Sequence, residues 1–171
     1  MHSTAWWPVL FVLAVATVTD LRSRRIPNWL VFPFMASGFL VSGWMHGWAG
    51  VVQSLEGFGI GAVLFGLLAL MGGMGMGDVK LLAGIGAWVG PQQLVVALVL
   101  TGMVGGVMAL CWAVAGGFVG ELFSGAGDLV FGPKKRGLTQ HPTLTLENPR
   151  SKKMPYAPAI AIGTLISFFS R

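Results

Sequence analysis

A chain of 171 residues in which 54% are hydrophobic and only 10% charged, with a mean hydropathy of +0.75, is not an ordinary soluble domain. Its composition is that of an integral membrane protein, with 26 glycines for close helix approach and seven tryptophans suited to the interfaces. The net charge of +5 therefore reports membrane topology before nucleic acid, and the lone Cys111 excludes an internal disulfide. His2, His46 and His141 are too scattered for a metal motif, and no phosphate-cradling or dinucleotide fingerprint is present, so no cofactor is expected.

The first apolar stretch, residues 5–19, follows an uncharged start without the basic region of a cleaved signal peptide, and reads as a retained helix running up to Asp20. Arg22, Arg24 and Arg25 follow, and Pro27 opens a second stretch over 29–45. A third covers 55–71, with Glu56 near its outer end. After a glycine run, Lys80 opens a fourth over 79–90, which Pro91-Gln92-Gln93 closes after about a dozen residues, or ~18 Å. A fifth runs over 94–119 and contains Cys111, expected to be buried; a sixth covers 155–169. Between these two lies the only long polar segment, 121–154, with a short β element expected around Thr143 to Leu146.

The pattern predicts an all-α integral membrane protein: a six-transmembrane-helix bundle forming a single membrane-embedded domain over residues 1–171, N-terminus outside, with one long cytoplasmic loop, 121–154, between helices 5 and 6. At ~20 residues per span, six spans take up about 120 positions. This direction places ten of the eleven basic residues on the cytoplasmic side. Trp6, Trp7, Trp44 and Trp48 read as interfacial belt residues, and the pairs Gly43/Gly47, Gly57/Gly61, Gly102/Gly106 and Gly116/Gly120 as close-packing positions.

Carboxylates near a membrane are costly and hence functional candidates. The acids are Asp20, Glu56, Asp78, Glu121, Asp128 and Glu147. Charge counting alone puts Asp20 and Asp78 at the cytoplasmic ends of two helices, at similar depth, although 58 positions separate them. Two carboxylates at one site cannot both ionise cheaply, so they share a proton. Such a pair can hydrolyse a peptide bond without a metal: one member deprotonates a water and the other protonates the carbonyl oxygen. Gly75 and Gly77, beside Asp78, would let a substrate backbone come close. Taken singly, Asp20 is a polar residue where the chain leaves the membrane and Asp78 an N-cap of the fourth helix. The same Gly-x-Gly-Asp string also recurs at Gly125-Ala126-Gly127-Asp128, where a solvated turn accounts for it.

The company of the first copy sets it apart. Asp20 followed by Arg22-Ser23-Arg24-Arg25-Ile26-Pro27-Asn28, then Gly75-Met76-Gly77-Asp78-Val79-Lys80, then Pro155-Tyr156-Ala157-Pro158-Ala159-Ile160-Ala161, resembles the type IV prepilin peptidase family of membrane aspartic proteases over nearly the whole chain. The resemblance implies Asp20 and Asp78 as the catalytic pair, with Gly75, Gly77, Asn28 and Lys80 as substrate-binding or site-shaping residues. It also implies an aspartic endopeptidase of the cytoplasmic (inner) membrane that removes the basic leader of prepilins or pseudopilins, with those substrates and membrane lipid as partners and no nucleic acid. Larger members carry a cytoplasmic segment with Cys pairs and also methylate the new N-terminus. With Cys111 alone, the resemblance is to the compact form without that segment, as in tight-adherence pilus peptidases or archaeal preflagellin peptidases, and methyltransferase activity is not expected.

Two other classes stay open at this level: a small proton- or ion-coupled carrier whose acids bind the ion, and a non-catalytic pilus-assembly scaffold. The clusters Lys134-Lys135-Arg136 and Lys152-Lys153 suit anionic headgroups, at ~1 kcal/mol per basic residue, better than a basic leader. Neutralising Lys134, Lys135 and Arg136 together is expected to weaken binding to anionic vesicles and leave peptide cleavage in neutral detergent almost unchanged. A large rise in KM in that detergent would place these residues on the substrate.

Overall fold

The computed structural model describes residues 6–70, 74–116 and 156–170. The expected loop 121–154, its β element, the second Gly-x-Gly-Asp string and the Lys clusters lie outside the described residues. Within them the chain is all-α: α1 (Trp6–Ser23), α2 (Asn28–Leu70), α3 (Met76–Gly116) and α4 (Ala157–Phe169).

The all-α class holds, but the six-transmembrane-helix bundle is corrected. The described residues form four helices. Two of them, over Asn28–Leu70 and Met76–Cys111, are long and apolar enough to cross a membrane. α4, at 13 residues, is too short, and α1 carries Asp20 and Arg22 in its last turns. The reason lies in the punctuation. Residues 46–54 and 91–93 were expected to be loops between separate spans, yet each long helix departs from helical backbone at a single glycine: Gly47 (φ 59°, ψ −143°) and Gly90 (φ 77°, ψ 175°). Both conformations are accessible essentially to glycine alone. The chain bends sharply at each. A side chain at Gly50 would strike the Ser42 carbonyl, eight residues earlier and ~12 Å away in a straight helix.

α3 is the centre of the molecule. Every residue from Leu81 to Ala87 is buried, so these nearly two turns have no outward face, as expected of a helix covered on all sides. α2 packs against it closely through glycine: a Cβ on Gly57 would collide with Gly86, and one on Gly61 with the backbone of Ala83. Polar links fix the register. Ser54 Oγ donates to the Ala87 carbonyl at 2.6 Å, and Trp88 Nε1 donates to the Phe34 carbonyl at 2.7 Å while its ring stacks on Phe34. On its other side α3 meets α4, where Gly163 lies against Thr101 and the buried Gln93 donates through Nε2 to the Ser167 carbonyl at 2.6 Å. α1 adds Val9, Val12, Leu13 and Ala16 to the same core.

The outer surface is apolar, with Trp7, Trp44 and Trp48 among the exposed side chains, as fits a lipid surrounding. Cys111, expected to be buried, is exposed on α3. The Gly57/Gly61 pair packs as expected, but Gly102 and Gly106 have no neighbour within reach of an added Cβ.

Because the bend at Gly90 needs a positive φ, Gly90→Ala is expected to cost about 1–3 kcal/mol of stability, measured by denaturant or thermal unfolding in detergent. An unchanged midpoint would contradict the backbone conformation described.

Candidate active site

Asp20 lies in the last turn of α1, whose end is closed by Arg24. The Arg24 N–H donates to the Asp20 carbonyl at 2.8 Å with Arg24 in the left-handed region (φ 52°). The Asp20 side chain is 6% exposed. Its Oδ2 accepts the backbone N–H of Ala157, the first residue of α4, at 3.0 Å in a buried setting. A carboxylate at this position also meets the positive end of α4.

Asp78 is the third residue of α3, not its N-cap. Its own N–H donates to the Gly75 carbonyl at 3.1 Å, and the Gly75 backbone in turn hydrogen-bonds the Asp78 carboxylate, a reach-back of the capping-box kind. This closeness explains the glycine, since a Cβ on Gly75 would stand 3.2 Å from Asp78 Oδ2. Gly77 has a different role: a Cβ there would stand 3.2 Å from the Cβ of Ile26, so this glycine lets the start of α3 close on the α1–α2 connection. The fold brings the two acids within Coulombic reach of each other. Glu56 is exposed on α2 and takes no part.

Lys80 and Asn28 meet beside the pair. Lys80 Nζ donates to Asn28 Oδ1 at 3.1 Å in an exposed position and lies 5.3 Å from the centroid of the Phe32 ring. The link ties the first turn of α3 to the first turn of α2, which starts at Asn28 with the Pro27 carbonyl accepting the N–H groups of Leu30 and Val31. Among the described residues, no group of three His, Cys, Asp or Glu side chains could hold a metal.

Two contributors carried no assigned role in the sequence reading, although both stand in the Pro155–Ala161 segment. One is the Ala157 amide, which no residue type announces. The other is Tyr156, the N-terminal flank of α4 and the single tyrosine of the chain. Its ring lies over Gly105, where a Cβ would come within 2.6 Å of the hydroxyl. Burial, and after it the negative charge of Asp78, holds the phenol above its ordinary pKa, so it remains a protonated donor at neutral pH.

The described residues thus give an apolar, all-helical protein of membrane type with two aspartates at helix ends within electrostatic reach of each other. The match to known families is specific: residues 7–110 fit the model of the Type IV leader peptidase family, and the chain belongs to that family. It is 35% identical over 106 residues to the prepilin leader peptidase/N-methyltransferase of Aeromonas hydrophila, covering 58% of this chain and 37% of that one. To the protein of the same description from Xanthomonas campestris pv. campestris it is 33% identical over 114 residues, covering 63% and 39%. To that of Bacillus subtilis it is 28% identical over 165 residues, covering 94% and 54%. The chain thus spans about half or less of the length of these relatives. No solved structure gives a significant match.

Lys80→Ala removes both the bond to Asn28 and the ring contact and is expected to cost about 1 kcal/mol, with Asn28→Ala costing about half as much. Unfolding midpoints of the two variants check the order, and an equal or inverted order would contradict the contacts described.

Proposed function

We propose that this chain is an aspartic endopeptidase, embedded in the cytoplasmic membrane as a single multi-pass domain, that removes the N-terminal leader of prepilins or pseudopilins at the cytoplasmic face. The observation that supports the reading is that Asp20 and Asp78 stand within electrostatic reach of each other. The membership of the chain in the leader peptidase family, and the prepilin named in the description of each relative, supply the substrate class.

The chemistry follows from a pair sharing one proton. The ionised carboxylate takes a proton from a bound water as its oxygen adds to the scissile carbonyl carbon, and the protonated partner gives its proton to the carbonyl oxygen. The tetrahedral diol then collapses. Its C–N bond breaks, the leaving nitrogen takes up the proton held by the first carboxyl, and a hydroxyl proton returns to the second, so the pair ends in its starting state. The work of the protein is to keep both carboxyl groups in one place with few competing donors. Gly75 keeps the approach to Asp78 free of a side chain, Gly77 lets the start of α3 close on Ile26, and Lys80 and Asn28 hold the helix in register with α2.

Asp20→Asn and Asp78→Asn are each expected to lower kcat for a prepilin-like peptide by at least about 10²–10⁴-fold without unfolding the protein, since an amide cannot exchange protons with water at this site. Asp128→Asn, in the second Gly-x-Gly-Asp string, is expected to stay near the unaltered rate. Cleavage of the peptide, followed by mass, decides. Near-normal hydrolysis by either dyad variant would remove the assignment, and ion flux without hydrolysis would favour the carrier.

A further inference from the structure

The proposed hydrolysis leaves one requirement unmet by the two aspartates. As water adds, the carbonyl oxygen gains negative charge before proton transfer to it is complete, and a fixed second donor at that oxygen lowers the barrier. Asp20 already has the Ala157 N–H and Asp78 has Gly75. A free donor must come from elsewhere on the rim of the pair.

Tyr156 is so placed. It immediately precedes the residue whose amide holds Asp20, and its phenol lies in the electrostatic field of Asp78, so this one dipeptide of α4 reaches both acids. The side chain is partly buried, and no hydrogen bond between its hydroxyl and another described residue is present. The hydroxyl end of the ring is seated on α3. Gly105 on α3 leaves space for it, and any side chain there would meet the ring and its hydroxyl, at 2.6 Å from Oη for a Cβ. A phenol with a seated ring, a hydroxyl without a partner among the described residues and the Asp78 carboxylate within electrostatic reach has the attributes of a substrate-facing donor. An ordinary packing role would be served as well by phenylalanine.

We propose that Tyr156 is a third catalytic residue, whose hydroxyl donates a hydrogen bond to the carbonyl oxygen of the scissile bond as the tetrahedral intermediate forms. This inference rests on the peptidase reading above. No proton is transferred from Tyr156. The phenol keeps its hydrogen throughout, the proton that reaches the carbonyl oxygen comes from the dyad, and the hydrogen bond strengthens as the oxygen gains charge.

The test uses the full chain purified in detergent with a prepilin-like peptide. For Tyr156→Phe, kcat is expected to fall about 10- to 100-fold, the lower part of the range for loss of one such donor, with KM within about twofold because the bond matters mainly in the transition state. The unfolding midpoint is expected to stay unchanged, since the ring still fills the space over Gly105. Equal kcat for the unaltered chain and Tyr156→Phe overturns the inference, as does a lower rate caused by a raised KM alone. Absence of cleavage by the unaltered chain instead overturns the peptidase reading on which it rests. A second measurement needs no substitution at all. Because the chain has a single tyrosine, uniform 3-fluorotyrosine labelling gives one fluorine resonance. That resonance is expected to move when a peptide carrying a tetrahedral hydroxyl in place of the scissile carbonyl binds, and to move much less with the matching ground-state peptide bound to Asp78→Asn. An unmoved resonance with the tetrahedral peptide bound overturns the proposal.

Discussion

A carboxylate taken out of water has to find its hydrogen bonds within the protein, and two placed side by side have to find them without neutralising each other. Here the backbone meets that demand. Ala157 at the start of α4 serves Asp20, and Gly75 before α3 serves Asp78. A main-chain amide supplies a fixed dipole with no net charge and no rotamer to immobilise, so it satisfies each acid without an ion pair that would hold it permanently in one protonation state. The rest of the fold is arranged so that three helix ends converge where those amides are.

Convergence of this kind depends on how closely α3 can be surrounded. Its segment from Leu81 to Ala87 is covered on all sides. Ordinary side chains would separate it from α2 by far more than the Gly57–Gly86 and Gly61–Ala83 contacts do. Asp78 at the head of α3 and Gly105 lie on the two arms of that helix, before and after its bend at Gly90, and α4 packs along the second arm: Tyr156 against Gly105, Gly163 against Thr101, and Ser167 against Gln93.

The site was legible in the sequence to the extent that charge and residue type carry it. Asp20 and Asp78 stand out because carboxylates are scarce in so apolar a chain and each lies where an apolar stretch meets polar or glycine-rich sequence. The Ala157 amide left no trace, because every residue except proline has one. Gln93 read as punctuation beside Pro91, yet it is buried with a backbone carbonyl for its Nε2. The number of helices is hidden from the sequence for a related reason. Hydropathy and polar residues suggest loops, whereas the bends at Gly47 and Gly90 are set by the φ of one residue each, which composition does not report. Cys111 shows the remaining difficulty: where the surroundings are as apolar as the core, an apolar stretch does not reveal which of its faces turns inward.

The bond between Ala157 and Asp20 also gives the molecule a schedule. The two residues are separated by 137 positions, so the acid is made well before its amide partner. At about 5–20 residues per second, a ribosome needs on the order of ten seconds to bridge that interval. Throughout it Asp20 stands at the end of α1 without the donor that later anchors it, and Asp78 joins it before Tyr156 exists. The hydrogen bond that anchors Asp20 can therefore form only after the whole of α2 and α3 has been made, so the surroundings of that acid are completed by a segment synthesised long after it.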